Sequence, residues 1–345
     1  MDGMADQAQR AAPTASGPPP AGGPTAENTP GRTVRAAPAA LAAAACYGLL
    51  QAWWALGHAP SFGRFGTDLL VFPGWAAVVL CAAAAVLSRA LHTARGRRPL
   101  LLGAAAATAG ALLLSCPFLL LDVVGGLLPG LHIPFSLTGF LSRAGCLGVA
   151  LLLAATALGH RRRWWGDCPR CSRTGPLLRP GPPAGPERWA WWAAYGAVAS
   201  CWLRILAQYA LGFAGPGRLS APQAASLAVF EVGFVLAGTV LPLSLVHRWG
   251  RVLPRRLPLL GGRRVPPPVL LVPACAISVG LLVYFGVGIG QLVGETVHPV
   301  AHDGALPLSF LWVAMPAYWL WGLGLGMAAL SYRRRTRPPC RACGR

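Results

Sequence analysis

The sequence predicts an all-α membrane protein: a polytopic helix bundle of eight spans, built as two parallel four-span repeats with both termini cytoplasmic. Three observations predict it. Of 345 residues, 54% are hydrophobic and only 12% charged, about half the roughly 25% charged share of ordinary soluble domains, and the mean hydropathy is +0.51. The formal net charge is nonetheless +20, carried by 30 basic residues that are all Arg. The apolar residues fall in runs of about 20, the length a helix needs to cross a hydrocarbon core of roughly 30 Å. These features exclude a soluble globular enzyme, a disordered chain and a collagen-like chain. Ten-residue alternation is missing, which argues against a membrane β-barrel.

In chain order, residues 1–35 are Ala, Pro, Gly and Thr with almost no large apolar side chain, a composition that predicts a disordered cytoplasmic tail. The first apolar run starts too late and is too long for a cleaved signal peptide, so it is read as the first span. The expected spans cover approximately 36–57, 68–90, 100–124, 136–159, 189–213, 222–246, 269–291 and 306–331. Placing the N-terminus inside puts 26 of the 30 Arg in the inner segments and leaves only Arg64, Arg143, Arg204 and Arg218 elsewhere. That asymmetry sets the orientation and places the chain in the cell membrane, its basic face against anionic lipid headgroups. Nucleic-acid binding is set aside, because the Arg residues flank spans and lack an aromatic stacking platform. Trp53, Trp54, Trp164, Trp165, Trp189, Trp191 and Trp192 crowd span ends, where an aromatic belt is expected.

Landmarks recur in order between the two halves. Tyr47-Gly48 answers Tyr195-Gly196, Arg97-Arg98 answers Arg263-Arg264, and Cys168-Pro169-Arg170-Cys171 answers Cys340-Arg341-Ala342-Cys343, with an offset that widens steadily. Residues 36–171 form the first repeat, 172–188 a cytoplasmic linker and 189–345 the second repeat. An even number of spans per unit makes the repeats parallel. The run Tyr47-Gly48-Leu49-Leu50-Gln51-Ala52-Trp53-Trp54-Ala55-Leu56-Gly57 resembles the start of four-span membrane domains of unknown function found in high-GC actinobacteria, and Arg-only basic usage fits that source. The resemblance implies no activity.

Of the ten Cys, Cys46, Cys81, Cys116, Cys146, Cys201 and Cys275 stand singly inside spans, where a free thiol behaves as a small hydrophobe. The two C-x-x-C pairs follow Arg runs at the inner ends of their repeats. Cys168, Cys171, Cys340 and Cys343 supply four thiolates, a set suited to one tetrahedral structural zinc clasping the tail to the central loop, and nearby Arg favours thiolate. The alternative is a membrane-embedded thiol–disulfide redox enzyme using the same pairs.

Ionisable residues at membrane depth are costly and mark candidate sites. Glu231 lies about 13 Å into its span at 1.5 Å per residue, and Arg204 in the preceding span falls near the same depth, so the two are expected to pair. Arg143 sits at similar depth, with Asp122 within its reach; Gln51, Gln208 and Gln291 are further polar candidates. These groups form either packing ion pairs or a pocket for a substrate or protons. Glu295, His298, His302 and Asp303 in the last outer loop are a second metal candidate, although they match no helical ligand motif. No phosphate-binding loop or nucleophile elbow is present. The expected function is therefore non-enzymatic, a transporter-like or scaffold membrane protein. A transporter requires a cavity near Arg143, Arg204 and Glu231, whereas a scaffold requires a closed, dry bundle.

Overall fold

The computed structural model describes residues 32–63, 66–165, 185–210, 220–252, 262–297 and 307–337. Ten helices account for most of them: α1 Arg32–Trp53, α2 Trp75–Thr93, α3 Pro99–Ser115, α4 Leu119–Leu127, α5 Leu137–Trp164, α6 Arg188–Ala210, α7 Ala221–Val235, α8 Leu241–Val246, α9 Pro267–Val297 and α10 Leu308–Thr336. A π-helical turn, Trp54–His58, extends α1, and another, Leu236–Val240, joins α7 to α8 as one rod. No β-strand occurs among the described residues; Val252 and Arg264 form an isolated antiparallel bridge.

Six helical segments are long and apolar enough to cross a membrane: Ala36–His58, Trp75–Thr93, Leu137–Trp164, Ala221–Val246, Pro267–Val297 and Leu308–Thr336. The pair α3–α4, bent by 43°, makes a seventh when taken as one broken span. The remaining expected span is present as the 23-residue helix α6 but falls outside this set. Its Trp and Tyr rings, together with Arg188, Arg204 and Gln208, lower its apolarity.

Two expected boundaries move for local reasons. The second span was expected from residue 68, but α2 begins at Trp75. Pro73 and Gly74 precede it, and Gly74 takes the left-handed φ of 57° that glycine tolerates. The third span was expected to be continuous but breaks at Cys116-Pro117. The residue before a proline is pushed out of the helical region, and Cys116 sits at φ −113°, ψ 48°. Other ends obey ordinary capping. Pro99 opens α3 at a position where its missing N–H costs nothing. Ser136 caps α5 by accepting from the Gly139 N–H. Ser220 and Gln223 form a capping box on α7.

The helices form two cores. In the first, α1 packs on α2 and α5, and α3 packs on α5 and α2, around Ala44, Ala77, Ala84, Ala105, Leu112 and Leu153. In the second, α10 packs on α6, α9 and α8, and α6 on α8, around Ala194, Ala197, Leu245, Trp321, Leu325 and Ala328. Small residues let backbones approach closely where apolar area alone gives no driving force. Between α6 and α10 the close approach falls at Gly324, where a Cβ would sit 2.5 Å from the Ala193 carbonyl oxygen and 3.1 Å from Ala197 Cβ. The halves meet through α3 and α4 against α9, and through the turn Pro129–Leu131 against α7.

Gly324→Val forces α6 and α10 apart, whereas Gly103→Ala meets nothing within 4 Å. Thermal unfolding of the purified protein is expected to show Gly324→Val destabilised by about 1–3 kcal/mol, as overpacking typically costs, with Gly103→Ala unchanged or slightly stabilised.

Candidate functional site

The polar residues at membrane depth resolve into two different environments. The first centres on Arg143, in the second turn of α5, whose side chain is 0% exposed. Its Nη1 donates to Asp122 Oδ2 at 2.6 Å, its Nε to the Asp68 carbonyl at 2.8 Å and its Nη2 to the Thr67 carbonyl at 3.0 Å. The Phe118 ring lies 5.4 Å from its Cζ. Asp122 is likewise 0% exposed, and this contact is the salt bridge found among the described residues. Arg143 and Asp122 thus meet as their depths suggested. The guanidinium also binds loop carbonyls that no pattern in the sequence announced.

Beside this pair lies a chain of hydrogen bonds. Gln51 Nε2 donates to Asp68 Oδ2 at 2.6 Å and to the Tyr47 hydroxyl at 2.8 Å, and Ser142 Oγ donates to Asp68 Oδ2 at 2.7 Å. The Tyr47 and Ser142 hydroxyls are 3.0 Å apart. With both Gln51 N–H groups committed, Tyr47 donates to Ser142 and Ser142 to Asp68, so each hydroxyl in the chain both gives and receives. All four residues are buried. Sequence reasoning placed Asp68 at the start of a span and so overlooked it, along with Tyr47 and Ser142. The available signal was the i, i+4 spacing of Tyr47 and Gln51, which puts both on one face of α1.

The proline break is sealed in the same region. Pro117 has no N–H, and Cys116 N–H turns to the Leu113 carbonyl at 3.3 Å. The Leu112 carbonyl left behind accepts instead from Cys146 Sγ at 3.2 Å, and the Ser115 carbonyl from the Leu70 N–H at 3.0 Å. Neighbouring groups commonly re-satisfy a broken helix in this way where water is excluded.

The second environment lies between the halves. A cavity of about 740 Å³ is walled by Leu120, Leu121, Val124, Leu127, Leu128 and Ile133 from the first half, and from the second by side chains of α7, α9 and α10 together with Ala237 of the π-turn. Its second-half wall is aromatic. Phe285 stacks on Tyr318 with centroids 4.1 Å apart, and Phe234 meets Trp321 edge-on at 5.1 Å. Arg204 borders this wall, its Cζ 5.2 Å from the Phe234 centroid and 5.4 Å from that of Tyr318.

The expected Arg204–Glu231 pair does not form: no nitrogen–oxygen approach within 4.0 Å joins them, and Glu231 is exposed. Equal depth is not sufficient, because Glu231 projects from a different side of α7 than Phe230 and Phe234, which face the cavity. Gln208 is partly buried. Gln291 is exposed and lines a separate cavity of about 450 Å³ with Leu70, Val71, Leu114 and Gly290.

The four Cys proposed for zinc (Cys168, Cys171, Cys340 and Cys343) lie outside the described residues. So do His298, His302 and Asp303; Glu295 closes α9. Among the described residues no group of three or more His, Cys, Asp or Glu could hold a metal ion. Comparison with known protein families, with curated proteins and with solved structures finds no match to this chain.

Double-mutant cycles separate the two Arg. Asp122→Leu alone is expected to cost about 3–5 kcal/mol by leaving a buried charge unanswered, and Asp122→Leu with Arg143→Met to recover part of that loss, because Arg143 also holds two carbonyls. Arg204→Ala and Glu231→Gln are expected to add within about 0.5 kcal/mol, as uncoupled sites do. Chemical or thermal unfolding of each variant measures both cycles.

Proposed function

We propose that the chain is an eight-span, multi-pass cell-membrane protein, transporter-like in kind, which binds a lipophilic ligand between two parallel four-span repeats. The observation that carries this reading is the apolar cavity of about 740 Å³ lined by both halves. Its size falls within the roughly 300–1,000 Å³ range of small-molecule sites. A pure scaffold needs no such space. The buried, hydrogen-bonded surroundings of Arg143 suit a fixed structural role, so the ligand site is assigned to the cavity and not to that network.

The eight-span, duplicated topology is supported by helical rods in every expected segment. It is also supported by neighbour relations common to both halves: in each, the first and last rods pack together, the third rod packs on the last and the second on the first. The Arg residues at one end of the rods favour cytoplasmic termini, and that face meets anionic headgroups. The zinc clasp of Cys168, Cys171, Cys340 and Cys343 remains part of the reading on its ligand chemistry.

Trp321 is 3% exposed and lines the cavity, so its emission reports on the occupant. The difference in fluorescence between the native protein and Trp321→Phe is expected to be quenched by lipids with brominated chains; an unquenched difference shows that no chain enters and overturns the reading. For the clasp, elemental analysis of purified protein is expected to give about one zinc per chain, lost when the four Cys become Ser. A metal-free native protein whose pairs cycle between thiol and disulfide would favour the redox alternative.

A further inference from the structure

We propose that the cavity between the halves takes an anionic amphiphile, its hydrocarbon chain among the cavity walls and its anionic headgroup against Arg204. The proposal rests on the reading of the cavity as a ligand site and adds the class of ligand.

The argument starts from the contrast between two arginines in one bundle. Arg143 has an oxygen acceptor for Nε, Nη1 and Nη2, one of them a carboxylate. Arg204 lies 16 residues into α6 from Arg188, about 24 Å along the helix at 1.5 Å per residue, and among the described residues has no carboxylate within 4.0 Å. Its Nε is buried and makes no hydrogen bond. Two aromatic faces lie against it, Phe234 and Tyr318. Ring faces attract a cation, and the Tyr318 hydroxyl hydrogen-bonds the guanidinium, but a neutral hydroxyl brings no counter-charge to a planar fork that matches phosphate or carboxylate.

Both rings are also walls of the cavity, so the guanidinium lies next to that wall, within 5.4 Å of two ring centroids that line the space. The other side chains there are Leu, Val, Ile, Phe, Tyr and Trp, apart from Gly233 and Ala237, a surface complementary to hydrocarbon. Trp321 Nε1, buried on the same wall, has no acceptor either. A neutral amphiphile would leave the Arg204 charge unanswered, and a cationic one would be repelled. A chain bearing a phosphate or carboxylate answers both halves of the site.

Native mass spectrometry of the full chain tests this with three probes: phosphatidylglycerol, phosphatidylcholine with the same acyl chains, and inorganic phosphate. The native protein is expected to retain phosphatidylglycerol about tenfold better than phosphatidylcholine, as one charge-assisted contact implies. Arg204→Gln should erase that preference and Arg204→Lys should keep part of it. A Cβ at Gly233 meets nothing within 4 Å, so Gly233→Trp fills the cavity without disturbing the backbone and should abolish retention of both lipids. Ala237→Phe, on the same wall, provides a second block, and a thermal melt verifies each variant. Equal retention of the two lipids, lost in Gly233→Trp, overturns the anionic class and leaves the cavity reading standing. Undiminished retention in both blocked variants overturns the cavity reading itself. Full displacement of phosphatidylglycerol by millimolar inorganic phosphate shows a free-anion site and overturns the amphiphile.

Discussion

The first half of the bundle is organised around a single guanidinium that cannot reach water. An ionised side chain in an apolar interior is tolerable only when its charge is matched and its donors are filled. Arg143 meets that requirement with one carboxylate and two main-chain carbonyls, and the carbonyls determine the shape of their surroundings. They draw residues 67 and 68 into the bundle. Leu70, two residues on, then reaches the Ser115 carbonyl exposed by the proline break. Beyond that break the chain turns by 43°, and the tilted helix α4 returns Asp122 to Arg143. The loop, the break and the tilt are consequences of one closed circuit of hydrogen bonds.

The second half solves its packing by other means. Among the described residues its interior is rich in rings, with Phe234, Phe285, Tyr318 and Trp321 linked by mutual contacts. Directional hydrogen bonds define one arrangement of their partners, whereas aromatic walls accept several at similar cost. The division places a hydrogen-bonded half on one side of the cavity and an aromatic wall on the other.

Much of this architecture is legible in the sequence, because apolar runs of membrane length leave few options. All eight expected segments contain helix. What escaped detection has identifiable physical causes. Residues 68–74 are apolar enough to join a span, and only Pro73, Gly74 and the pull of Arg143 keep them out. Asp122 and Arg143 could be matched by depth, since both face inward. Arg204 and Glu231 share a depth but not a direction, and depth arithmetic does not record rotation about a helix axis. The cavity depends on rods far apart in the chain, so no local pattern predicts it. The paired Cys motifs, the most conspicuous signal in the sequence, fall outside the described residues and keep only their chemical argument.

The circuit around Arg143 has a direction along the chain. Its acceptors in Thr67, Asp68 and Asp122 precede it in the sequence, as do Tyr47, Gln51 and Ser142 of the adjoining hydrogen-bond chain. During synthesis the costly charge therefore emerges last, when its counter-charge and both carbonyls have already been made. The insertion machinery never has to hold that guanidinium in the bilayer while awaiting a partner still on the ribosome. The first half can close on itself before the second begins to appear.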